Sequence, residues 1–164
     1  MSQPRVGVLM GSKSDLPAMQ GAIDVLNELG IPHEVRILSA HRTPDEAGDY
    51  ARTAEDRGLS ALICGAGMAA HLAGVMAGHT LLPVIGVPMG GSFMGMDALL
   101  ATVQMPPGVP VGCVAVGKAG AKNAAWLVAR IIAVADADMK ATLVKARAAM
   151  KAKVLADDAE VRGG

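Results

Sequence analysis

Aromatic side chains are nearly missing from this chain of 164 residues, which holds one Phe, one Tyr and one Trp. A core built without them is filled by Val, Leu, Ile and Met and by close backbone approach. An excess of either charge is missing too: 15 basic residues face 15 acidic ones. That balance argues against a nucleic acid or an anionic membrane held by bulk charge. Cysteine is scarce, and Cys64 and Cys113 each lie in an apolar run with no CxxC or Cys/His zinc spacing. They read as buried reduced thiols rather than a disulfide. The start, Met-Ser-Gln-Pro-Arg-Val, has no hydrophobic run of signal-peptide type, so a cytoplasmic protein is expected. What is abundant is small: 30 Ala, 20 Gly and 11 Met. The length suits one domain and is short for two.

Charge is also distributed unevenly. Between Arg57 and Lys118 the only Asp, Glu, Lys or Arg is Asp97, and the 39 residues from Gly58 to Met96 carry none. Such a run is long enough to span a bilayer, yet nine Gly and two Pro break it into short pieces. Short apolar runs punctuated in this way read as parallel strands buried on both faces. So much apolar surface on a small domain predicts burial against other copies of the chain, hence a homo-oligomer.

Five β-rich runs alternate with helical patterns. The predicted strands are 5–10, 33–38, 61–64, 83–87 and 111–116, and the predicted helices are 15–29, 44–57, 69–76, 97–103, 122–135 and 137–153. That alternation implies right-handed βαβ units in a single doubly wound α/β domain. Thr43-Pro44-Asp45-Glu46 offers an N-cap hydroxyl, a first-turn proline and a capping-box carboxylate. Gly30 and Gly58 stand where helices should stop. In the last helix the acids come first and the lysines follow, which suits the helix dipole and makes its basic run a solvated face. Residues 157–164 have little to pack against and are expected to be ordered only by a neighbour.

In an open parallel sheet, ligands bind at the carboxyl ends of the strands. After the first strand comes Gly11-Ser12-Lys13-Ser14-Asp15, whose small hydroxyls ahead of a helix suit a phosphate or sugar, or simply let Ser14 cap the helix. After the second comes Ser39-Ala40-His41-Arg42-Thr43-Pro44, where an arginine fork for an anion stands beside a histidine that titrates near neutral pH. After the third comes Gly65-Ala66-Gly67-Met68-Ala69-Ala70-His71-Leu72. This matches a dinucleotide fingerprint literally, but no ribose-binding acid follows before Asp97 and the strand is not the first. Its glycines instead let backbone approach a ligand closely, with His71 in the first turn of the next helix. Gly112 to Ala119 falls one residue short of a phosphate-binding loop and lacks the magnesium-binding hydroxyl. The four histidines show no metal-ligand spacing, and His33 and His79 read as structural.

Together these loops, with Leu82-Pro83-Val84-Ile85-Gly86-Val87-Pro88 and Val103-Gln104-Met105-Pro106-Pro107-Gly108-Val109-Pro110-Val111, resemble those of the N5-carboxyaminoimidazole ribonucleotide mutase family of purine biosynthesis. The resemblance runs in order from about Val6 to Ala133. It implies a flavodoxin-like fold of five parallel strands with helices on both faces, one domain over 1–164 with its core at about 5–135. Residues 136–164 would form a C-terminal helix and tail packed on a neighbouring subunit of a homo-octamer. It implies carboxyl transfer from the exocyclic nitrogen of a ribonucleotide substrate to ring carbon C4, through loss and recapture of CO2, with no metal, ATP or other cofactor. His41 would be the general acid and base. Ser12, Ser39 and Arg42 would hold the 5′-phosphate and Asp15 the ribose, while Ala66, Gly67, His71 and Leu72 would surround the base and carboxylate. Met68 and Ala73 stand where many members carry Gly and Pro, so a differently shaped base pocket is expected. A sister class that adds free CO2 to aminoimidazole ribonucleotide typically has Lys in place of Arg42. That carboxylase, and a non-catalytic nucleotide-binding α/β module, are the alternatives.

Overall fold

The computed structural model describes residues 5–163; the start of the sequence, Met1–Pro4, and the last tail residue, Gly164, lie outside them. Five strands, β1 (Arg5–Met10), β2 (His33–Ile37), β3 (Leu59–Ala66), β4 (Val84–Pro88) and β5 (Gly112–Cys113), form one sheet in the order β2-β1-β3-β4-β5, every pair parallel. Helices α1 (Leu16–Glu28), α2 (Pro44–Arg52), α3 (Leu72–Ala77), α4 (Met96–Val103) and α5 (Gly117–Ile132) connect and cover it, and α6 (Ala137–Gly163) follows. This is the flavodoxin-like strand order, with its switch point between β1 and β3.

The sheet buries both faces. On one, Val6, Val8, Ile63, Ile85 and Val87 meet Met19, Val25 and Leu26 of α1 and Ala121, Ala124, Ala125 and Val128 of α5. On the other, Leu9, Leu62 and Cys64 meet Tyr50 of α2 and Leu72 and Met76 of α3. The Ala and Gly content has a place here. A Cβ on Gly21 of α1 would sit 3.1 Å from the Lys118 carbonyl, so α1 and the alanine face of α5 close to near backbone contact. Edge strand β2 is fastened to α2 through Tyr50, whose hydroxyl donates to Glu34 at 2.8 Å. Arg57 pairs with the same carboxylate and lies 4.4 Å over the Tyr50 ring.

Several predicted boundaries shift. α2 stops at Arg52, because the Thr53 hydroxyl donates to the Asp49 carbonyl at 2.8 Å and the chain then turns to Gly58 at φ +80°. The predicted capping box is not formed: the Thr43 hydroxyl accepts from the Ser39 N–H at 2.9 Å and makes no cap bond to its own helix. Nor does Ser14 cap α1, whose N-cap position is Asp15. β5 is two residues long rather than six, since Ala115 at φ +139° and Gly117 at φ +63° turn the chain into α5 five residues earlier than predicted. The last helix continues to Gly163, so 157–163 are helical, with Lys153–Asp157 and Arg162–Asp158 pairs along the exposed end. Met139, Leu143 and Ala146 pack on the core, and beyond them α6 runs out exposed. Among the described residues no helix is long and apolar enough to cross a membrane. Both cysteines are free, and burial pushes the Cys64 thiol pKa up. Asp97 lies in the first turn of α4 with its Oδ1 buried and, among the described residues, without a hydrogen-bond partner.

Candidate active site

Parallel strands end on the same side, and short backbone ladders carry the loops beyond those ends toward one another. The Leu38 N–H donates to Met10 at 3.0 Å, Gly11 to Gly65 at 3.1 Å and Met89 to Ala66 at 2.8 Å. The result is a cavity of about 630 Å³, lined by 11–15, 39–42, 66–72 and 89–91 with gaps. Every predicted site residue lines it: Ser12, Asp15, Ser39, His41, Arg42, Ala66, Gly67, His71 and Leu72. Leu72 is nonetheless a buried core residue, so it serves as floor.

One wall is polar. The Ser12 hydroxyl accepts from the Ser14 hydroxyl at 2.9 Å and from the Ser14 N–H at 3.3 Å. Ser39 Oγ accepts from the N–H groups of His41 and Arg42 at 3.4 and 3.2 Å, shaping a tight turn. Arg42 Nη2 donates to the Gly11 carbonyl at 2.7 Å and so ties the two loops together. Burial raises the Asp15 carboxyl pKa above 3.8, while the Ser12 N–H, the Ser14 hydroxyl and the Arg42 charge pull against it.

The opposite wall carries no formal charge. Gly65 lies so close to α1 and the β4 loop that a Cβ would meet Met19 Sδ and Met89 Cε at 2.6 Å. Met68 adopts φ +55°, a left-handed conformation rare outside glycine. The Ala70 and His71 N–H groups then bond back to Met68 and Ala69 at 2.9 and 2.8 Å, so α3 starts at Leu72 rather than Ala69, with His71 as its N-cap residue instead of inside its first turn. Here the two walls meet. His41 Nε2 lies 2.9 Å from His71 Nδ1, with the rings edge to face at 75°. One nitrogen must donate and the other accept, so each ring sets the tautomer of the other.

His33 and His79 stay outside the cavity, as predicted: His33 Nδ1 lies 3.0 Å from the Ile31 carbonyl, and His79 Nδ1 lies 3.3 Å from Arg52 Nη1. Among the described residues no group of three His, Cys, Asp or Glu gathers as metal ligands. Sequence reasoning missed Met89, Gly90 and Gly91. The signal was available, because β4 is parallel to β3 and its carboxyl end must open on the same side.

Fold and site together define a flavodoxin-like α/β protein with a hydrogen-bonded histidine pair at its switch point, beside Ser12, Ser39 and Arg42. A family model described as AIR carboxylase matches residues 5–153, and the chain belongs to that family. It is 51% identical over 154 residues to the N5-carboxyaminoimidazole ribonucleotide mutase of Bacillus subtilis, covering 93% of this chain and 95% of that one. It is also 51% identical over 161 residues to the mutase of the same name from Mycobacterium leprae, covering 98% and 93%. The crystal structure of Treponema denticola PurE superposes with a TM-score of 0.85 at 29% identity, over 96% of this chain and 98% of that one.

Proposed function

We propose that this protein is an N5-carboxyaminoimidazole ribonucleotide mutase, an isomerase of purine biosynthesis leading to IMP. Its relatives at about half identity carry that activity in their names. The observation that carries the reading is the 2.9 Å contact between His41 and His71 on the border between a polar cradle and a charge-free wall.

The chemistry needs one proton delivered and one removed. His41 as imidazolium protonates the exocyclic nitrogen, the N–carboxyl bond breaks, and CO2 leaves with the bonding electrons returned to nitrogen. Ring carbon C4 then attacks that CO2, and His41 takes the C4 proton, ending as it began. A group that does both tasks works best with a pKa near the operating pH, which imidazole supplies. His71 Nδ1, within hydrogen-bond distance of His41 Nε2, accepts its N–H and orients the ring, while His41 exchanges the reacting proton through its other nitrogen. Ser12, Ser39 and Arg42 hold the 5′-phosphate, and Asp15 binds the ribose hydroxyls. Ala66, Gly67 and Leu72 enclose the base. Neutral CO2 is kept between the half-steps by excluding water, which the apolar wall around the base favours.

The assembly is proposed to be a homo-octamer in the cytoplasm, from one domain whose C-terminal helix and tail, 136–164, lie on a neighbour. The exposed apolar residues of α4 and α6, among them Met96, Leu100, Val154 and Leu155, support burial in such an assembly. The free thiols support a reducing compartment.

Two substrates decide the activity. N5-carboxyaminoimidazole ribonucleotide is supplied in one assay, and aminoimidazole ribonucleotide with bicarbonate in the other. Fast consumption of the first alone is the expected result. Fast use of the second would identify the carboxylase reaction instead, and binding without use of either would leave a silent nucleotide-binding module.

A further inference from the structure

Met68 has no structural reason within the subunit to be methionine. It holds φ +55°, where any side chain with a Cβ is strained and glycine is not. The residue is 75% exposed in the subunit, so no core packing offsets that strain. It does line the cavity, three residues before His71 and on the charge-free wall. A thioether on an unbranched, rotatable arm adapts to an irregular apolar surface and sits well against a flat heteroaromatic ring.

We propose that the Met68 side chain is an apolar flap, which folds over the bound imidazole, excludes water and retains CO2 between the two half-reactions. This rests on the mutase reading above. The carbamate N–C bond breaks with protonation of nitrogen, and CO2 is the only free species until C4 attacks it and loses its proton. An open rim at that moment ends the turnover as aminoimidazole ribonucleotide plus escaped CO2. A side chain that closes only over the occupied site raises the share of turnovers that finish without gripping the phosphate more tightly. Backbone strain at Met68 is then a cost to the free protein, returned when ligand binds.

Single turnovers of the wild type, Met68→Gly and Met68→Leu test this, with uncatalysed decarboxylation subtracted. The fraction ending as aminoimidazole ribonucleotide is expected to rise about tenfold in the glycine variant, the scale on which removing a small apolar group changes a closed pocket. Leucine, apolar and of similar size, is expected to restore most of the wild-type partition. The unfolding midpoint of Met68→Gly is expected not to fall, and its assembly size by light scattering to stay unchanged. An unchanged partition in the glycine variant overturns the flap, and so does a leucine variant that leaks as much as glycine. A glycine variant that falls apart into smaller assemblies would make Met68 an interface anchor and overturn it as well. Failure of the wild type to consume the carboxylated substrate would strike the mutase reading itself, and the flap with it.

Discussion

The two walls of the cavity are built on different principles. On the wall made by 11–15 and 39–42, most polar groups are held by partners a few residues away, as when Ser39 Oγ collects the N–H groups of His41 and Arg42, while Arg42 reaches across to the Gly11 carbonyl. On the wall made by 66–72 and 89–91, shape comes from long-range packing and an unfavourable backbone: Gly65 against Met19 and Met89, and Met68 at positive φ. A cradle for an anion is short-range hydrogen bonding and is ready before ligand arrives. A chamber for a neutral intermediate needs exclusion of water, which only the assembled core can arrange.

The contrast can be broken at four points. His41→Asn keeps a polar group but removes the titrating nitrogen, so turnover should fall by about 10²–10⁴-fold while nucleotide affinity holds. Near-normal turnover, measured with saturating substrate, would end the acid–base role. Arg42→Ala attacks the other wall. KM should rise about 10–100-fold with a smaller change in kcat, because a charged hydrogen-bond donor to the phosphate is removed. A fall in kcat alone would place Arg42 in the chemistry instead.

Gly65→Ala forces a methyl group against Met19 and Met89, and about 1–3 kcal/mol of stability should be lost by denaturant titration. A neutral result would mean that the two thioethers yield freely and the wall is soft. The smallest effect belongs to Asp15. Its folded pKa is raised above 3.8, so the stability linked to it is complete below that pH and fades as pH rises through the higher folded value. At neutral pH the half-buried carboxylate is a net cost. Asp15→Asn should therefore stabilise the ligand-free protein by under about 0.5 kcal/mol after solvent screening, while weakening substrate binding. A loss of stability at pH 7 would mean that the Ser12, Ser14 and Arg42 contacts outweigh desolvation.

Legibility in the sequence followed the same division. Strand–helix alternation and the loops at 11–15 and 39–43 are short-range patterns, and residues such as Ser12, Ser39, His41 and Arg42 stand out from their neighbours alone. Boundaries are misread where several short-range options compete. The early start of α5 depends on Gly120 packing against the Ala115 carbonyl, where a Cβ would come within 2.2 Å. Thr43, a capping hydroxyl by its local pattern, is drawn back to Ser39 by the turn that presents His41. Met89, Gly90 and Gly91 join the site only because β4 lies beside β3.

By itself, then, the sequence determined the class of fold and named most residues of the polar wall and the candidate acid–base residue, because hydropathy period and turn chemistry are read from adjacent residues. Tertiary structure decided that His41 and His71, thirty positions apart, share a hydrogen bond, and that Met68 stands exposed and strained beside them. Those outcomes depend on which strands neighbour which and how closely the helices approach. Packing of residues far apart in the chain sets both, and no local pattern encodes it.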